Sequence, residues 1–284
     1  MRLGFMEQLT YSTVRIECTL SDGNTSCGTG FFMQLLREGD RHIPVIVSNK
    51  HVIHGARLGR IHFTFEAANG GPDHGSHQRY EIDNFEDQWI THPNPDVDLA
   101  ILPLSEILRA VNASTGRTCF YKAVDTSFIP SLNERKTYSS MEDVVMIGYP
   151  NGIWDQVNNL PVIRRGITAT HVKTRWNGRD EFLTDIASFP GSSGSPVLLA
   201  NIGSYVDEKG DINMGVSRIR LLGVHYAGAQ HRADGTIEIV TVPTDTRPVP
   251  VTMIPNNIGV VINSERILDF EPLLIKMMQQ VRLG

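Results

Sequence analysis

The sequence predicts an all-β protein, a pair of antiparallel barrels or sandwiches followed by one C-terminal helix. Two observations carry this. Short runs rich in Val, Ile and Phe recur between turn residues along most of the chain, without the alternating amphipathic stretches that βα units need. Residues 264–283, "SERILDFEPLLIKMMQQVRL", instead carry apolar residues at helical spacing, with Pro272 suited to a helix start or kink.

Taken in order, "STVRIECTL" (12–20) and "GTGFFMQLL" (28–36) read as a hairpin pair. "IPVIVSNKHVI" (43–53) opens with a strand, "RIHFTFEA" (60–67) alternates, "NGGPDHGSHQ" (69–78) reads as a loop, and "DLAILPL" (98–104) as a short apolar strand. From 105 to 138 the pattern loosens into a connection with one helical turn near its start. Strands resume at 143–150, 163–172, 181–188, 195–201, 219–228 and 258–263. The expected division is therefore an N-terminal module over 1–108, a connection over 109–138, a second module over 139–263 and a helix over 264–284.

The chain has 284 residues, 40% of them hydrophobic and 20% charged, which is ordinary for a soluble globular protein with a real core. A net charge of −5, with no long Lys/Arg run, gives no electrostatic reason to expect nucleic acid or an anionic membrane as partner. The N-terminus lacks the apolar stretch of a signal peptide, and no run of about 18 apolar residues occurs. Three cysteines, Cys18, Cys27 and Cys119, are too few for a disulfide framework, so a reducing, cytoplasmic setting is expected. A two-residue turn on Asp22-Gly23 would set Cys18 opposite Cys27, as two packed thiols or a bridge. No cofactor is expected. "DHGSHQ" (73–78) offers Asp73, His74 and His77 without a fourth metal ligand and reads as an exposed loop.

Three stretches need one another. "SFPGSSGSPV" (188–197) has the composition of a turn, but a turn is also how a serine is displayed as a nucleophile. A serine nucleophile needs a base to take its proton and a carboxylate to orient that base. "VSNKHVIHG" offers His51 and "NPDVDLAIL" offers Asp98, each at a strand end or turn. The order is His51, Asp98, Ser193, with gaps of 47 and 95 residues. Asp98 is preferred to Asp96 because an apolar strand follows it directly, and His51 to His54, which reads as a surface histidine. Ser192 and Ser195 read as structural.

These motifs resemble those of the trypsin-like serine endopeptidases of the chymotrypsin fold. "SNKHV" is similar to the histidine-bearing strand end, "DVDLAIL" to the Asp-apolar-Ala segment and "PGSSGSPV" to the nucleophile loop, over about residues 10–263. The resemblance implies two antiparallel six-stranded Greek-key barrels. It makes Ser193 the nucleophile, His51 the general base and Asp98 its orienting carboxylate. It also makes the backbone N–H groups of Gly191 and Ser193 the oxyanion donors. Ser192 stands where zymogen-activated relatives have aspartate, so the usual activating ion pair is missing. Control would fall to substrate choice, a regulatory partner or an effector.

The position six before the nucleophile is Ala187, which disfavours cleavage after Arg or Lys because no anion would neutralise a buried cation. "LLGVHYAGA" (221–229) resembles the pocket strand of glutamyl endopeptidases, placing His225 beside Ser188 as donors to a Glu or Gln side chain. A preference for small residues is the equal alternative. Gly228 would leave room for an extended protein or peptide substrate. Trp154, Asn159 and Arg165, in "YPNGIWDQVNNLPVIRRG", read as loop packing. Two other functions remain open on sequence: a catalytically idle binding or scaffold module, and a small-molecule esterase using the same three residues.

Overall fold

A computed structural model describes residues 3–233 and 252–283. A short helix α1 (Phe5–Thr10), which the sequence reading did not anticipate, precedes two β modules. The first is a nine-stranded sheet. Six of its strands have four or more residues: β1 (Thr13–Leu20), β2 (Thr25–Glu38), β3 (Arg41–Ser48), β4 (Ala56–Glu66), β5 (Pro72–Asp83) and β7 (Ala100–Pro103). Three two-residue strands complete it: β6 (Ile90–Thr91), β8 (Cys119–Phe120) and β9 (Val124–Asp125). Helix α2 (Lys50–Ile53) follows β3, and α3 (Ser105–Thr115) follows β7. The helical turn expected near 105 is thus an eleven-residue helix. Strands β8 and β9, inside the expected connection, return to pair with β4 and β2.

The second module is a closed six-stranded barrel. Its strands are β10 (Asp143–Gly148), β11 (Val162–Thr168), β12 (Glu181–Asp185), β13 (Pro196–Asn201), β16 (Arg218–Ala233) and β17 (Thr252–Asn263). A separate hairpin of β14 (Ser204–Val206) and β15 (Ile212–Met214) projects between β13 and β16. The C-terminal pattern at 270–283 forms a helix, Phe270–Leu283.

Period-two alternation sorts the core. On β2, Phe31, Met33 and Leu35 face the apolar layer between the modules, while Phe32 faces the interior of the first sheet. On β10, Val145 and Ile147 join that shared layer, while Val144 and Met146 fill the barrel. Phe270 and Leu274 of the C-terminal helix pack into the same layer. One apolar surface therefore sets the modules against each other, and the candidate catalytic residues come from both sides of it.

Two expectations are corrected. Residues 72–78 are strand, not loop: His77 pairs with Thr64 and Gln78 with Phe63, as part of an edge strand with only Ile82 buried. An edge tolerates Pro72 and Gly75, and its polar face gives no alternating hydrophobic signal. The β1–β2 turn is also one residue longer than a two-residue hairpin. Leu20 N–H donates to Asn24 O (2.8 Å), and Gly23 N–H donates to Leu20 O (3.0 Å). The register then pairs Cys18 with Ser26 and Glu17 with Cys27, so the two cysteines do not face each other. A one-residue shift moves a side chain to the opposite face. All three thiols are free.

Candidate active site

His51 sits on the four-residue helix α2, which leaves the end of β3. Asp98 lies just before β7, and β3 and β7 are paired, so the two side chains meet across neighbouring strand ends. His51 Nδ1 is 2.5 Å from Asp98 Oδ2, and the His51 backbone N–H donates to Asp98 Oδ1 at 3.1 Å. A carboxylate can only accept, so Nδ1 carries the proton and Nε2 presents its lone pair. Asn49, which sequence reasoning passed over although it stands in the same motif, fastens the arrangement by donating from Nδ2 to Asp98 O (2.7 Å). His54 and Asp96 stand apart: His54 is exposed and pairs with Glu86 at 3.0 Å, and Asp96 is exposed on a loop turn.

The stretch 188–197 is a tight turn leading into β13. Gly191 and Gly194 have φ of +88° and +86°, a conformation that side-chain-bearing residues rarely adopt. A Cβ on Gly194 would lie 1.8 Å from Thr29 O, and one on Gly191 would lie 2.4 Å from Tyr149 O. The turn holds itself through Ser192 N–H to Phe189 O (2.9 Å) and Ser195 N–H to Ser192 O (3.1 Å). It is pinned to both modules by Ser193 O, which accepts from Thr29 N–H (2.8 Å), and by Gly194 N–H, which donates to His225 O (2.8 Å). Ser192 and Ser195 are buried within it.

The Ser193 hydroxyl donates to Tyr226 O at 3.3 Å, and no hydrogen bond joins it to His51 in this rotamer. Among the described residues, the N–H groups of Gly191 and Ser193 have no acceptor. The Gly191 N–H has a defined direction. Pro190 O accepts from Asn151 N–H at 2.5 Å, and in a trans peptide the N–H points the opposite way. The turn therefore offers two free donors beside Ser193, as an oxyanion requires.

Ser188 and His225 are both buried, and Ser188 Oγ lies 2.6 Å from His225 Nε2. Burial, with a smaller effect from His51, pushes the His225 pKa down to about 4. Gly228 faces Ser188, whose Oγ would be 3.0 Å from a Cβ placed there. Residues 188, 225 and 228 thus line one narrow slot beside the nucleophile turn. Arg164 donates to Ala187 O (2.5 Å) and stacks over Phe189, flanking Ser188 on both sides. It has no carboxylate partner among the described residues.

Residues 28–206, well over half of the chain, match the sequence profile of the trypsin-like peptidase domain. The chain belongs to the trypsin-like serine peptidase family. Similar solved structures include the HtrA-type protease AlgW with a tripeptide, 16% identical, covering 96% of this chain and 60% of that one, TM-score 0.47. Another is Rv3671c from M. tuberculosis H37Rv in an inactive form, 14% identical, covering 91% of this chain and 84% of that one, TM-score 0.42. The chain therefore spans 60% of the length of AlgW. No curated protein matches it.

The residues singled out as metal-binding candidates are engaged elsewhere in this family member. Asp73 pairs with Arg117, His74 meets Tyr11 OH at 3.4 Å, and His77 meets Gln156 O at 3.0 Å. Among the described residues no helix is long and apolar enough to cross a membrane.

Proposed function

We propose that the chain is a serine endopeptidase that cleaves protein or peptide substrates through an acyl-enzyme, with Ser193, His51 and Asp98 as its triad. The observation that carries the reading is the pairing of the His51–Asp98 dyad with a turn that presents Ser193 between two unpaired N–H groups. Rotation of the Ser193 side chain away from Tyr226 O brings its hydroxyl to His51 Nε2. His51 takes the proton as Oγ attacks the scissile carbonyl, and Asp98 stabilises the imidazolium. The Gly191 and Ser193 N–H groups take up the charge developing on the carbonyl oxygen, an effect worth roughly 3–4 kcal/mol per donor. His51 then protonates the leaving amine, and a water activated by the same ring releases the acyl group.

In this reading the slot lined by Ser188, His225 and Gly228 receives the side chain preceding the cleaved bond. It is narrow, and its two polar walls suit a planar carboxyl or carboxamide end, or a small residue. The unpaired cation of Arg164 behind Ser188 favours the carboxylate. Gly228 leaves the strand edge open for pairing with an extended substrate. The three free thiols fit a reducing, cytoplasmic setting.

The deciding experiment is the sequencing of new peptide termini produced by wild type and by Ser193→Ala, alongside fluorophosphonate labelling. Labelling confined to wild-type Ser193 with Ser193-dependent termini is expected. Absence of label in folded wild type favours a scaffold role, and ester turnover without new protein termini favours an esterase.

A further inference from the structure

We propose that Trp154 is a positioning residue for the Gly191 oxyanion donor. It would clamp the 151–159 segment to the first sheet and so fix the Asn151 N–H that orients the Pro190 carbonyl. This rests on the reading of Ser193 as nucleophile.

The donor direction depends on one contact. If the Asn151 N–H moves, the Pro190–Gly191 peptide loses the bond that keeps its carbonyl turned outward, and the Gly191 N–H is free to rotate away. Asn151 is poorly held by its own backbone. It has φ +51° and is followed by Gly152 at φ +70°, two consecutive left-handed residues on an exposed turn. Ile153 and Val157 nearby are 58% and 69% exposed, so little apolar burial restrains the segment locally.

The restraint comes from the other module. The Trp154 ring meets His62 edge-on at 4.8 Å and His77 at 5.8 Å, and the Arg15 guanidinium lies 5.3 Å from its centroid. These partners stand on β4, β5 and β1. On the far side of the tryptophan, His77 Nε2–H donates to Gln156 O (3.0 Å). Asn159 Nδ2 donates to Thr64 Oγ1 (3.0 Å) and to His62 O (3.3 Å). A bridge between Asp155 and Leu160 closes the loop on itself. The segment is therefore attached at Trp154, Gln156 and Asn159, and Trp154 is the attachment nearest Asn151.

The test compares wild type, Trp154→Ala and Trp154→Phe in full-length protein, by the rate of fluorophosphonate labelling at Ser193. A second measurement is the kcat and KM of a peptide whose cleavage by wild type depends on Ser193. Trp154→Ala is expected to slow labelling and lower kcat by about 10- to 100-fold, short of the loss of a donor, with KM changed less than about threefold. Trp154→Phe keeps an aromatic face for the three partners and is expected to restore most of the rate. Peptide affinity measured in the Ser193→Ala background should be the same with and without Trp154→Ala. If Trp154→Ala does not fold, His77→Ala removes one hydrogen bond from the same segment and is expected to cost about fivefold in labelling. Unchanged labelling in the folded variants, or equal losses in kcat and ground-state peptide affinity, would overturn the clamp. A wild type that does not label at Ser193 overturns the nucleophile assignment itself.

Discussion

Thr29, on the second strand of the N-terminal sheet, donates its hydroxyl to the carbonyl of Gly191 in the nucleophile turn at 2.8 Å. The same oxygen accepts the Tyr149 N–H at 3.1 Å, and Thr29 is fully buried. One side chain thus ties the first module to the nucleophile turn and to the loop that orients it. Thr29→Val should leave a buried acceptor and a buried donor unpaired, costing about 2–4 kcal/mol of stability and lowering activity. Urea unfolding measures the first; Thr29→Ser should recover much of it, and equal midpoints for all three proteins would refute the linkage.

Ser193→Ala removes the proposed nucleophile without leaving a cavity of consequence. Turnover should vanish while the thermal midpoint stays close to wild type. Asp98→Asn keeps the shape but disturbs the tautomer that leaves Nε2 free, and kcat should fall about 10⁴-fold. Near wild-type turnover in either variant rules out the triad.

The slot predicts its own specificity change. His225→Ala and Ser188→Val each remove a polar wall, so cleavage after Glu or Gln should fall relative to cleavage after small residues in a peptide library. Arg164→Gln should reduce cleavage after Glu more than after Gln, because only the carboxylate feels the lost cation. A library profile identical across the variants removes this assignment.

Acid should destabilise the fold through His225. Its folded pKa is held down to about 4 by burial and then by His51, against an ordinary value of 6.5. The unfolded chain therefore takes up the proton first as pH falls. The stabilisation is complete above about pH 6.5 and is lost progressively toward pH 4, by ~3 kcal/mol for this residue. His62, also pushed down to about 4, mainly by burial, acts in the same direction. Urea unfolding from pH 7 to 4 should show the loss, and His225→Gln should flatten it.

Much of the fold was legible because its signals are local. Alternation on β2 and β10, the run of six strands in the second half and the helical spacing after Phe270 are all period-based patterns. The edge strand over 72–83 was not legible, since an edge faces water on its outer side and has no need of alternating apolar residues. The cysteine register failed by one residue because turn length, and not strand composition, sets it.

By itself, the sequence determined which residue types were at hand: a histidine, an aspartate and a glycine-flanked serine at strand ends, in a family whose profile covers most of the chain. Only the tertiary structure decided how they are held. Asn49 fastens Asp98, Thr29 grips Gly191, and Asn151 sets the direction of a peptide 40 residues away. None of these contacts has a sequence period or a motif of its own. They arise because an apolar layer brings two modules together, and the polar groups stranded at its edge must find partners there.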